Sequence, residues 1–248
     1  MTTRPRSSLL GSAVFVLLAA LLAFGVPQIA APSEAHAYSW SGTLREGSKG
    51  ADVRELQIRV AGWAADSAKR THVAVDGEFG PGTKAAVIRF QRAYGLSADG
   101  VVGPDTQRKL NSLEDSDGST DHFNFSEFYS KDGSKFNGGK VSASTVKENI
   151  RRLMYKLEAV RKKAGDRSIT VNSGFRSKRH NSNVGGASNS QHMYGIAADI
   201  VISGRTVSNT ISYAQKSGFS GIIRYNTFTH VDNRTEYSYG SGGYYWAV

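Results

Sequence analysis

The sequence contains no cysteine in 248 residues. That absence excludes disulfides, thiolate zinc sites and cysteine nucleophiles, so any metal must be held by histidines and carboxylates. Beyond the first residues, no uncharged apolar run is long enough to span a bilayer. No dense Lys/Arg run with interleaved aromatics occurs either, which argues against nucleic acid as a partner. Acidic residues are the scarcer charge, with 21 Asp and Glu against 31 Lys and Arg.

What is present begins with a targeting pattern. Arg4 and Arg6 precede an uncharged apolar core over residues 13–24; Pro27 and Pro32 follow, then the small-x-small site Ala35-His36-Ala37. Residues 1–37 are therefore expected to be a signal peptide, leaving Tyr38 as the new N-terminus of an exported, cell-wall-associated protein. Removing them takes away Arg4, Arg6 and Glu34 and leaves 29 basic against 20 acidic side chains. Outside the cell such an excess favours polyanionic surfaces. No membrane association is expected after cleavage, and the mature chain is expected to be a monomer.

Residues 44–113 form one unit. Val53, Leu56 and Val60 recur at helical spacing, as do Ala86, Phe90 and Ala93, and later Leu110 and Leu113. Between them the pattern x-D-G-x-x-G-P-x-T occurs twice, over residues 75–83 and 98–106. Asp-Gly makes a tight turn, and the Thr stands where a helix cap is expected. Asp76 and Asp99 read as turn and cap residues. LREGSKGADVRELQ, VDGEFGPGTKAAVIRFQRAYGL and ADGVVGPDTQRKL together resemble the peptidoglycan-binding domain found at one end of many wall-lytic enzymes. The resemblance implies a three-helix bundle.

Residues 114–121, EDSDGSTD, carry no apolar side chain and read as a linker. The last unit, residues 122–248, reads as α+β with a small antiparallel sheet. Thr145 and Glu148 make a capping box for a helix whose apolar face is Val146, Ile150, Leu153, Leu157 and Val160. Strands are expected at 169–171 and 199–202, a loop at 173–190, a helix at 206–216, and a hairpin of 221–225 with 228–232.

In this last unit His192, Asp199 and His230 are candidate metal ligands, since a hydrolytic zinc takes three protein ligands and keeps a fourth position open. Asp232 lies two residues beyond His230, on the same strand face, where it can hydrogen-bond a ligand or activate water. GFRSKRHNSNVGGASNSQHMYGIAADI and THVDNR resemble the zinc D-Ala-D-Ala carboxypeptidase family, the M15-type peptidases. The resemblance implies one zinc ion on His192, Asp199 and His230. It also implies that Arg176 clamps a substrate carboxylate or carbonyl, and that Ser190 makes local hydrogen bonds beside the site. Several branches carry an acid three positions before the last histidine as general base. Thr227 stands there here, so Asp232 is the expected base.

His180 is a further candidate for lining the substrate site, while His72 and His122 read as surface or packing residues. The C-terminal Tyr237, Tyr239, Tyr244, Tyr245 and Trp246 suit either a binding wall or packing. The expected activity is trimming of peptidoglycan stem peptides. The alternatives are a peptidoglycan endopeptidase of the same family and a non-catalytic wall-binding protein.

Overall fold

Each Asp-Gly repeat reverses the chain between two helices, and three helices result: α1 (Ala51–Arg59), α2 (Pro81–Ala93) and α3 (Pro104–Asn111). The computed structural model describes Met1 and residues 38–248; residues 2–37 of the expected signal segment lie outside them. Gly80 and Gly103 are the N-caps of α2 and α3. Pro81 and Pro104 follow in the first turn, where a missing N–H costs nothing. The repeated threonines are therefore not caps. Thr83 and Thr106 are buried, and each accepts a hydrogen bond from a glutamine that the sequence reading passed over.

Those glutamines centre twin networks. The Gln57 amide donates to Asp76 Oδ1 (2.7 Å) and to the Glu78 carbonyl (3.1 Å), and its oxygen accepts from the Gly77 N–H (2.8 Å). Gln91 repeats the pattern with Asp99 Oδ1 (3.1 Å), the Val101 carbonyl (2.9 Å) and the Gly100 N–H (2.9 Å). Asp76 and Asp99 each also accept the N–H two residues on, as turn residues do. The buried glutamine amides and threonine hydroxyls at these turns are thus spent on holding the fold.

The second module comprises α4 (Ala143–Lys163), α5 (Lys178–Asn183), α6 (Val207–Lys216) and five strands. They are β1 (Ile169–Ser173), β2 (Ala197–Ile202), β3 (Gly221–Arg224), β4 (Thr229–Asp232) and β5 (Tyr245–Ala247). Their order is β1-β2-β4-β3-β5. All neighbours are antiparallel except β3 and β5, so the expected antiparallel sheet gains a parallel edge from the C-terminal residues. α5 lies within the expected loop 173–190, started by Ser177, whose hydroxyl accepts from the His180 N–H. α4 starts before the expected box: Ser142 is its cap, accepting from the Thr145 N–H at 3.2 Å. Glu148 turns instead to Arg151.

Strand alternation gives the sheet two unlike faces. Ala198, Ile200, Ile202, Ile222 and Val231 join Ile150, Leu153, Leu157 and Val160 of α4 in one core. The opposite face carries Asp199, His230 and Asp232. A second core lies among α1, α2 and α3, and α4 contributes Tyr155 and Ala159 to it. α4 is therefore buried on both sides, beyond the single apolar face its sequence shows.

Residues 38–248 belong to one compact unit. Gly62 permits the approach: a Cβ there would stand 2.4 Å from the Ala159 Cβ and 2.9 Å from the Lys156 Cα. Glu55 of α1 is shared between Arg59 (2.6 Å) and Arg151 of α4 (3.0 Å). Arg59 is itself buried and pairs with Glu114. Residues 114–121 are accordingly folded: the Asp115 N–H meets the Ser119 carbonyl (2.9 Å), and Ser119 and Thr120 are buried. His72 is no free surface residue, since its Nδ1 meets the Tyr244 hydroxyl of the other module at 2.8 Å. His122 is held by Glu158. No helix among the described residues is long and apolar enough to cross a membrane.

Candidate metal centre

Register alone brings two candidate ligands together. In the antiparallel pair β2–β4, Asp199 stands directly opposite His230, and both side chains leave the face away from the core. His192 arrives separately, on a 3₁₀ turn (Gln191–Tyr194) before β2. His192 Nε2 lies 3.2 Å from His230 Nδ1 and 3.3 Å from Asp199 Oδ1, and His230 Nδ1 lies 2.9 Å from Asp199 Oδ1. A tetrahedral zinc with bonds of about 2.05 Å has ligand–ligand edges of about 3.3 Å, so the triangle fits the ion. All three side chains are buried yet line a cleft of about 550 Å³, which leaves one side open for a fourth ligand.

The surrounding bonds orient these candidate ligands. His192 Nδ1 lies 2.6 Å from the Gly174 carbonyl; with the proton there, the Nε2 lone pair faces the triangle. His230 faces the triangle with Nδ1, while its Nε2 meets Asp232 Oδ2 at 3.1 Å. Arg176 donates from Nη2 to Asp199 Oδ2 (2.6 Å) and from Nε to Ser173 Oγ (2.9 Å). The carboxylate thus keeps Oδ1 for the triangle.

Electrostatics follow from this crowding. Burial pushes His192 below its ordinary value. Burial acts the same way on His230, but hydrogen bonds to Asp199 and Asp232 prevail and hold it up to about 9. Asp199 sits well below the usual carboxylate range despite its burial, because both imidazoles hydrogen-bond it. A cation between these atoms would compete with the same hydrogen bonds for His230 Nδ1 and Asp199 Oδ1.

Asp232 does not face the triangle, which corrects its expected role as the base. It lies beyond His230, wholly buried, with Ala197 and Gly221 opposite it on the flanking strands. A Cβ at Gly221 would fall 2.0 Å from Asp232 Oδ2, so glycine is what admits the carboxylate. Its oxygens accept from His230, from the Arg234 N–H (3.0 Å), from Arg234 Nε (2.9 Å) and from Arg234 Nη2 (2.6 Å). Despite burial, these bonds hold its carboxyl well below the usual range, and both oxygens are engaged away from the cleft lining. Asp232 orients a histidine.

The other expected residues divide. Arg176 and Ser190 line the cleft; Ser190 caps the 3₁₀ turn without a side-chain hydrogen bond to it. His180, on α5, does not line the cleft, which corrects its expected place. Of the C-terminal aromatics only Tyr245 lines it. Tyr237 and Tyr239 stack at 5.2 Å, and Trp246 bonds the Phe219 carbonyl.

Both modules are similar to known proteins. A family model described as peptidase M15 matches residues 121–232, and one described as a putative peptidoglycan binding domain matches residues 49–110. The zinc D-Ala-D-Ala carboxypeptidase of Streptomyces albus G is 47% identical over 216 residues, which cover 85% of this chain and 80% of that protein. The chain belongs to the peptidase M15 family. The N-acetylmuramoyl-L-alanine amidase CwlL of Bacillus licheniformis is 43% identical over 67 residues, 26% of this chain and 18% of that enzyme. The crystal structure of the SleB N-terminal domain is 36% identical with a TM-score of 0.25, and the match covers 29% of this chain and 93% of that one.

For an M15 peptidase the cleft holds several residues that sequence reasoning missed. Arg234, Gln191, Ser241 and the stacked pair Tyr225 and Phe228 (4.3 Å) line it. The expectation placed Arg234 inside the quoted THVDNR but gave it no role. Only the contact with Asp232 and the cleft marks it out.

Proposed function

We propose that this protein is a zinc D-Ala-D-Ala carboxypeptidase that removes the terminal residue of peptidoglycan stem peptides. Its first 37 residues act as a signal peptide, and the mature chain works as a monomer at the cell wall. The observation that carries the reading is the triangle of His192, Asp199 and His230 at the floor of an open cleft. These three residues hold the ion. When bound, zinc polarises the scissile carbonyl and makes water a stronger nucleophile.

The remaining roles belong to the chain. Asp232 fixes the ring of His230, and Gly174 fixes that of His192. Arg176 holds Asp199, and its Nη1 carries no hydrogen bond among the described residues, so it stabilises charge developing on the carbonyl oxygen. Asp199 is the only carboxylate among the described residues lining the cleft. The binding module keeps this cleft on its insoluble substrate and raises the local substrate concentration.

The test is mass spectrometry of purified peptidoglycan fragments after incubation with the mature protein, with and without chelator. Loss of one terminal D-Ala, blocked by chelator and restored by zinc, is the expected result. Cleavage inside the stem or cross-bridge would identify an endopeptidase. Wall binding without cleavage at any zinc level would reject the enzyme.

A further inference from the structure

Two arginines, Arg176 and Arg234, line the cleft, each paired with one carboxylate: Arg176 with Asp199 and Arg234 with Asp232. Arg234 is the less expected of the two. Its side chain is 12% exposed and rests over the Tyr245 ring at 5.2 Å. Its Nε and Nη2 are fixed on Asp232, while Nη1 carries no hydrogen bond among the described residues.

We propose that Arg234 forms the subsite for the free C-terminal carboxylate of the substrate. The inference rests on the peptidase reading above and deepens it by naming what selects a chain end. Asp232 Oδ2 accepts from both Arg234 Nη2 (2.6 Å) and His230 Nε2 (3.1 Å), so one carboxylate sets the spacing between guanidinium and ligand triangle. A carboxypeptidase must measure one residue, about 3.8 Å of chain, from the scissile carbonyl to the terminus. A guanidinium immobilised on the carboxylate that also holds the His230 ring supplies such a ruler, and its remaining N–H groups suit a carboxylate. Because Asp232 and Tyr245 already order the side chain, binding loses little further rotamer entropy. A polypeptide continuing past this point would present a neutral amide to the cation and forgo the charged bond.

The test compares acyl-D-Ala-D-Ala peptides bearing a free terminal carboxylate with their terminal amides. Two readouts apply: kcat/KM of the zinc-loaded enzyme, and Kd by calorimetry with chelator-treated protein, which needs no turnover. The native protein should prefer the free acid by about 10- to 100-fold, the worth of a charge-assisted hydrogen bond. R234Q should bring that ratio near one in both readouts, whatever happens to absolute rates. R234K, which keeps the charge without the fork, should retain part of the preference and serves as the variant if R234Q does not fold. An unchanged ratio in the variants, or equal use of acid and amide by the native protein, would overturn the proposal. If neither peptide is cleaved, the peptidase reading fails, while the acid-to-amide ratio in Kd still decides Arg234.

Discussion

The two modules use buried polar groups for opposite ends. Around Gln57 and Gln91, each amide, hydroxyl and turn carboxylate is closed on the backbone or on one another, and the pattern is made twice. At the floor of the peptidase cleft, three donor atoms from separate segments crowd within 3.3 Å and stay open to a ligand. A closed network stabilises one conformation. An open one is held against its own electrostatics by the strands beneath it, and it is there to be completed from outside.

Breaking the open network should have the largest effect. H192A is expected to abolish zinc retention and hydrolysis, measured by metal analysis and fragment turnover, while wall binding in a pull-down persists. D232N should keep the fold but weaken zinc affinity about 10- to 100-fold, the usual cost of losing a carboxylate behind a histidine ligand. Wild-type zinc affinity in D232N would return Asp232 to the list of candidate bases.

Next comes the seam between the modules. R151M leaves Glu55 and Glu148 without their shared partner and should lower stability by about 3 kcal/mol in urea denaturation. The native protein should unfold in one transition. Two separate transitions, indifferent to R151M, would show the modules to be independent.

The closed network should respond less. Q91A opens a satisfied buried cluster and is expected to cost about 1–3 kcal/mol, with kcat/KM on soluble fragments unchanged. The smallest effect is a pH-dependent one at Asp132, which accepts from Ser134 and Ser177 and pairs with Arg179. Hydrogen bonds from Ser134 and Ser177 hold its carboxyl well below the usual range. Its folded pKa is below its unfolded one, so its contribution is complete above about pH 4 and is lost as pH falls further. The Tm gap between native protein and D132N should therefore narrow below about pH 4; a gap constant with pH would remove the carboxylate's role.

Much of this was legible because the signals are local. Asp-Gly turns announce themselves, and His192, Asp199 and His230 were named from residue type and company. Their partners were not, because a hydrogen bond across strands leaves no spacing in the chain. Gln57 stands 19 residues before Asp76, and Gln91 only 8 before Asp99, so the twin networks share no sequence period. Asp232 misled for a related reason. Sharing a strand face with His230 fixed its side of the sheet but not whether the imidazole would stand between it and the cleft.

The sequence by itself determined the absence of thiol chemistry, the paired turns, the α+β plan and the ligand types, all matters of composition and short-range geometry. Only the tertiary structure decided that α4 serves two cores, that residues 114–121 are packed rather than loose, and that Arg234 reaches the cleft. Those outcomes depend on which surfaces meet, and the close approach at Gly62 and the register of β2 on β4 are set by the whole packed chain.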